Sequence, residues 1–160
     1  MPTNRAAFEE IWQAVCIQPA PDDGEREELA RIAQTLRVAP ASDVEERAWA
    51  LNTLSVALAT LGHPSEALGV LRACVRLEPS DEARIAALAC AALIRAEQGE
   101  HDDAARLARI VGGASGDPRM LSALGTALAR RALEADDEEL GEAASECLRW
   151  ADLETAFAAD

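Results

Sequence analysis

The chain reads as an all-α protein, an α-solenoid of four antiparallel helical hairpins with no sheet, and three observations predict it. Pro40, Pro79 and Pro118 stand 39 residues apart, with Gly24, Gly62 and Gly99 interleaved between them. A fixed period of that length marks one supersecondary unit repeated, and such units bury their apolar faces only by stacking on neighbours. Tyr is absent and only 2 Phe and 3 Trp occur, so the interior must be built from Leu, Ala, Val and Ile. That composition suits closely packed helices and disfavours a sheet. Finally, helix starts are marked by capping residues at the intervals the period requires. At 160 residues, about half of them apolar, the chain suits a single domain with a continuous core.

Eight helices follow in order. Phe8, Ile11, Trp12, Val15 and Cys16 fall at i, i+3, i+4, i+7 and i+8, one apolar stripe along a helix over 4–17 that Pro19 and Pro21 end. Asp22 with Glu25 opens a second helix over 23–37 bearing Leu29, Ile32, Ala33 and Leu36, and Pro40 closes the unit. Ser42 with Glu45 forms a capping-box pattern before 43–61, and 64–77 follows the turn at Gly62. Ser80 precedes Asp81 and Glu82 at the start of 81–98, paired with 101–112. Asp117 caps 118–135, with Pro118 in the first turn, and 138–157 completes the chain. The connector Gly112 to Gly116 reads as a glycine C-cap and a turn. It is no phosphate cradle, because no Lys follows and Pro118 lacks an amide hydrogen.

The second helices of the middle units match by position: Ala67, Val70, Leu71 and Cys74 recur as Ala104, Leu107, Ala108 and Val111. Within 43–79, Leu51, Leu54, Ser55, Leu58, Gly62, Ala67, Leu71, Cys74 and Pro79 keep the spacing W-x2-L-G-x2-Y, Gly, Ala-x3-Phe-x2-Ala, Pro. On these residues the chain resembles the tetratricopeptide repeat family, in its long-period bacterial type. The unit 81–116 retains Leu88, Gly99, Ala104, Ala108 and Val111, with Arg95 at the aromatic position, and 118–157 begins with Leu121, Leu124, Gly125 and Leu128 and ends in an acidic capping helix. Residues 4–40 read as a degenerate N-terminal hairpin. The resemblance implies a right-handed solenoid whose first helices line a concave groove that holds a partner peptide or helix. Carried over by position, that groove comprises Trp49, Asn52, Val56, Ala89, Leu93, Arg119, Ser122 and Thr126; Trp12, Trp49 and Trp150 sit on apolar stripes and read as core, with partner anchoring the alternative and Trp49 the best anchor.

Charge and chemistry narrow the function classes. A formal net charge of -14 repels phosphate backbones and anionic headgroups, so neither nucleic acid nor a membrane is expected as partner. Ten of the carboxylates lie in residues 134–160 beside Arg149 alone. There Asp136, Asp137, Glu138 and Glu139 read as an acidic patch, a helix start favoured by the macrodipole or an attractor for a basic partner. No secretory signal opens the chain, and the longest apolar run, Ile85 to Ile94, is too short to span a bilayer. Cys16, Cys74, Cys90 and Cys147 are scattered without a C-x-x-C pair, which reads as reduced thiols in a cytoplasmic protein. His63 and His101 recur in matching turns, and His101 with Asp102 and Asp103 points in divergent directions, so no metal, cofactor or catalytic residue is expected. The sequence therefore predicts a non-catalytic adaptor or chaperone that binds a protein or peptide, with basic partners favoured. A chaperone of the type III secretion type, a regulatory module of a signalling or transcription system, and an enzyme are the alternatives.

Overall fold

The structure, a computed structural model of the chain, describes residues 3–17, 20–38 and 43–158. These residues form eight helices: α1 Asn4–Ile17, α2 Asp23–Val38, α3 Val44–Thr60, α4 Pro64–Arg76, α5 Asp81–Glu97, α6 His101–Ala114, α7 Pro118–Ala135 and α8 Glu138–Ala158. Among the described residues there is no strand. The protein is all-α, and its helix limits follow the expected ones closely. Pro19, Pro40 and Ser42, to which breaks and a cap were assigned, lie outside the described residues.

Local chemistry sets the boundaries. Asp22 Oδ1 accepts from the Glu25 amide at 2.8 Å, Ser80 Oγ from Ala83 at 3.2 Å, and Asp117 Oδ1 from Arg119 and Met120 at 3.0 and 3.2 Å. Each satisfies N–H groups that a helix start leaves without an intrahelical partner. The start of α3 is capped by Asp43, whose carboxylate accepts from Glu46 at 2.8 Å. The turns inside the later pairs repeat every 37 residues at positive φ: Gly62 at 93°, Gly99 at 81° and Asp136 at 53°. The left-handed backbone is free of strain at the two glycines, and Asp is among the side chains that tolerate it. Gly24 plays no such part and sits in the first turn of α2.

Packing runs α3 on α4, α5 on α6 and α7 on α8 within pairs; α2 on α3 and α4 on α5 between them; and α3 on α5 and α5 on α7 side by side. Leu54, Leu58, Leu71 and Leu124 are buried, while Leu88 and Leu107 are half-buried against the same core. Two features depart from regular hairpin stacking. The α8 helix leans across α6 as well as α7: Gly112, inside α6 and not at its end, lets the Trp150 ring approach so closely that a Cβ there would lie 3.1 Å from Trp150 Cδ1.

The second departure corrects the expected N-terminal hairpin. Among the described residues α1 makes no packing contact with α2; it packs on α3 and α7 instead. The reason is the width of the apolar faces. Among the described residues, the buried positions on α2 are Leu29 and Ala33, and α2 packs on α3. Helix α1 carries Phe8, Ile11, Trp12 and Cys16, all buried, and needs a broader face than α2 offers. The chain α1–α3–α5–α7 thus closes into a ring of neighbours. Burying Phe8, Ile11 and Trp12 contributes on the order of 5–9 kcal/mol, comparable to the net stability of a whole domain.

Two glycine substitutions report on this packing with opposite sign. A Cβ at Gly125 would meet Leu148 Cγ at 2.8 Å and the Ala144 carbonyl oxygen at 3.1 Å, whereas one at Gly69, inside α4, would meet nothing within 4 Å. Gly125→Ala is expected to destabilise by about 1–3 kcal/mol despite its better helix propensity. Gly69→Ala is expected to stabilise by about 0.5–1 kcal/mol. Urea denaturation followed by circular dichroism measures both.

Candidate functional site

The expected groove residues divide into two groups. Trp49, Asn52, Val56, Ala89 and Leu93 are buried; Arg119, Ser122 and Thr126 are exposed. On α7, the Met120 backbone carbonyl accepts from the Trp12 indole N–H at 3.3 Å, and the Arg130 side chain reaches the end of α1. Asn52 belongs to the α3–α4–α5 core. Its amide donates to the Ala83 carbonyl at 3.0 Å and its oxygen lies 3.5 Å from Cys74 Sγ, so all of its polar capacity faces away from any partner.

Trp49 is 5% exposed because its own chain covers it, so of its two expected places, core and partner anchor, it occupies the core. Phe8 packs at a ring separation of 5.3 Å, the Arg5 guanidinium lies 5.0 Å from the indole centroid, and the indole N–H donates to Glu45 at 3.1 Å. Trp12 is likewise core, stacked on Phe8 at 5.8 Å. Polar contacts hold α1 at each end and along its length. Asn4 Nδ2 donates to the Glu46 carbonyl at 2.9 Å, Gln13 Nε2 to the Arg119 carbonyl at 3.1 Å, and Arg130 Nη2 to the Ile17 carbonyl at 2.8 Å. The last places a cation at the negative end of the α1 dipole. The sequence pattern gave α1 its apolar stripe but carried no signal for this docking.

Glu45, expected only as a member of a capping box, fixes the rim of the same face. One carboxylate oxygen accepts from the Ser80 amide at 2.7 Å, the other from the Ser80 hydroxyl at 2.8 Å and from Trp49. It thereby ties the start of α3 to the cap of α5. Burial alone would push its pKa up, but the Ser80 and Trp49 donors together hold it below the ordinary glutamate value.

Between α1, the start of α5 and the connector into α7 lies a cleft of about 430 Å³. Phe8, Trp12, Trp49, Ile85 and Met120 form its apolar lining; Arg5, Glu9, Asp81, Glu82, Asp117 and Arg119 supply its charges.

The acidic patch is partly committed to structure. Asp137 accepts from the Leu140 amide at 2.9 Å, capping α8, and its other oxygen meets His101 Nδ1 at 3.1 Å. Arg109 gathers Glu139 at 3.2 Å and Glu146 at 3.4 Å, joining α6 to α8. Asp136 and Glu138 are exposed. All four thiols are free and buried. Burial raises each pKa, to about 11 for Cys74 and Cys147, which keeps them protonated and poorly nucleophilic at neutral pH. Among the described residues no three His, Cys, Asp or Glu side chains cluster as a metal site would require, and no helix is long and apolar enough to cross a membrane. No family model, no curated protein and no solved structure matches the chain.

The Glu45 clamp makes stability pH-dependent with a definite sign. A carboxyl whose folded pKa is depressed stabilises fully above its unfolded pKa and loses that contribution as pH falls through the folded value. Glu45→Gln is expected to cost about 1–2 kcal/mol at pH 7. The gap from the wild type should narrow as the pH drops below the ordinary value of 4.5. Denaturant midpoints between pH 7 and pH 3 measure it.

Proposed function

We propose that the chain is a non-catalytic protein–protein interaction module, an adaptor or chaperone that holds an amphipathic partner helix on the face formed by α3 and α7. One observation carries this reading: that face already seats an amphipathic helix, α1, through buried aromatic side chains and side-chain donors to backbone carbonyls of α7. Helix-in-groove recognition uses the same elements, apolar anchors at i, i+3, i+4 and i+8 with polar contacts that fix register. The packing of each first helix on the preceding second helix and on the next first helix, as α5 does on α4, α3 and α7, supports a short tetratricopeptide-like solenoid. In this reading α1 fills the concave side of that arc, in the place of a partner.

A partner must then compete with α1. Emptying the face would expose several large apolar side chains, so only a helix that refills the same volume can replace it. The favoured partner carries aromatic and aliphatic residues at the spacing of Phe8, Ile11, Trp12 and Cys16. The net charge of -14 disfavours nucleic acid and favours basic flanks on such a helix.

A fluorescent peptide with the sequence of residues 3–17 tests the reading on the full chain. In Gln13→Ala, and more so in Gln13→Ala combined with Asn4→Ala, α1 loses tethers but keeps its apolar anchors. Peptide binding, followed by anisotropy, should rise about fivefold or more over the wild type with each lost tether, the equivalent of one hydrogen bond. If neither variant binds the peptide while both retain native helix content, the face is a closed core and does not receive helices.

A further inference from the structure

The cleft beside α1 has its own chemistry, separable from the face that α1 covers. Its volume of about 430 Å³ lies within the range of ligand pockets. The ring that floors it is already engaged by a cation: the Arg5 guanidinium sits 5.0 Å from the Trp49 centroid, where the negative quadrupole of the indole attracts positive charge. Arg5 is weakly held there. Its side chain is 43% exposed and its ion pair is with Glu9, one helical turn away at 3.3 Å, an exposed contact of little net worth.

Part of the anion-binding capacity of the helix starts that meet in the cleft is already taken up. Ser80 and Asp117 already accept the amide hydrogens of Ala83, Arg119 and Met120. A cation finds carboxylates. Glu82 lines the cleft and makes no ion pair among the described residues, and Glu9 is released when Arg5 moves away.

We propose that this cleft is a receptor for an arginine side chain of a partner peptide, which takes the place of Arg5 on the Trp49 ring and is balanced by Glu9 and Glu82. The proposal rests on the interaction-module reading and gives it a specificity: the partner presents a guanidinium beside its apolar segment. The stacked Arg5 is then a resident stand-in that the incoming arginine displaces.

The test uses the full chain and a blocked Gly-Gly-Arg-Gly-Gly peptide, titrated while the indole N–H resonances are followed by NMR. The Trp49 resonance should move. Arg5→Ala vacates the ring and is expected to bind the peptide about threefold more tightly, the scale of one exposed cation–π contact. Arg106→Ala removes the same charge at a distance and should leave affinity unchanged, and Glu82→Gln should weaken it. A peptide with neutral citrulline in place of arginine should not bind. Equal affinities for Arg5→Ala and Arg106→Ala would overturn the proposal, as would binding of the citrulline peptide, or shifts confined to α8 carboxylates. Because the probe carries no apolar anchors, such a failure leaves exchange of the α1 peptide untouched, and the two readings fall separately.

Discussion

The structure depends on the burial of one amphipathic helix against a face that is not its sequence neighbour. Phe8, Ile11, Trp12 and Cys16 give α1 a stripe too broad for α2, whose buried contribution among the described residues is Leu29 and Ala33. The ring of helices α1, α3, α5 and α7 is the arrangement that removes this stripe from water. From that single requirement follow the burial of Trp49, the position of Arg5 over it, and the cleft left where α1, the start of α5 and the connector into α7 meet. The cleft is thus shaped as much by α1 as by the helices it packs against.

The polar contacts around this ring act as register pins and add less stability than the apolar ones. Glu45 shows the principle. Its carboxylate in the first turn of α3 joins the cap of α5 and, one turn further along α3, the indole of Trp49, so two helices share one anion. Arg130 does the same for the end of α1, and Gln13 for its middle. Much of the surplus negative charge of α8 is drawn into similar work. Arg109 holds carboxylates spaced along α8, and Asp137 both caps that helix and meets His101. The acidity of the C-terminal region therefore has a structural component as well as an open one at Asp136 and Glu138.

Legibility in the sequence followed the range of the interaction. Caps at Asp22, Ser80 and Asp117 and the turns at Gly62 and Gly99 were readable because a cap bonds within three residues and a turn is set by one backbone angle. The stripe on α1 was readable for the same reason. Its destination was not, since periodicity says which side of a helix is apolar and is silent on what covers it. The expected groove suffered twice from this. Trp49 and Val56 were placed on the right helix but are buried, and on α7 Ser122 and Thr126 are exposed while Arg119 lines the cleft beside α1. Asn52 misled because a polar residue among apolar ones looks like a binding contact, whereas here it satisfies the Ala83 carbonyl within the core.

The seat of α1 is the claim on which the cleft, the buried groove and the exchange of helices all rest, and nuclear Overhauser contacts from its aromatic side chains test it most directly. The account predicts contacts from Phe8 to Trp49 and from the Trp12 indole to Met120, with none from either side chain to Leu29 or Ala33 of α2. Contacts from Phe8 or Trp12 to Leu29 and Ala33, with those to Trp49 and Met120 missing, would place α1 in an ordinary N-terminal hairpin and contradict it.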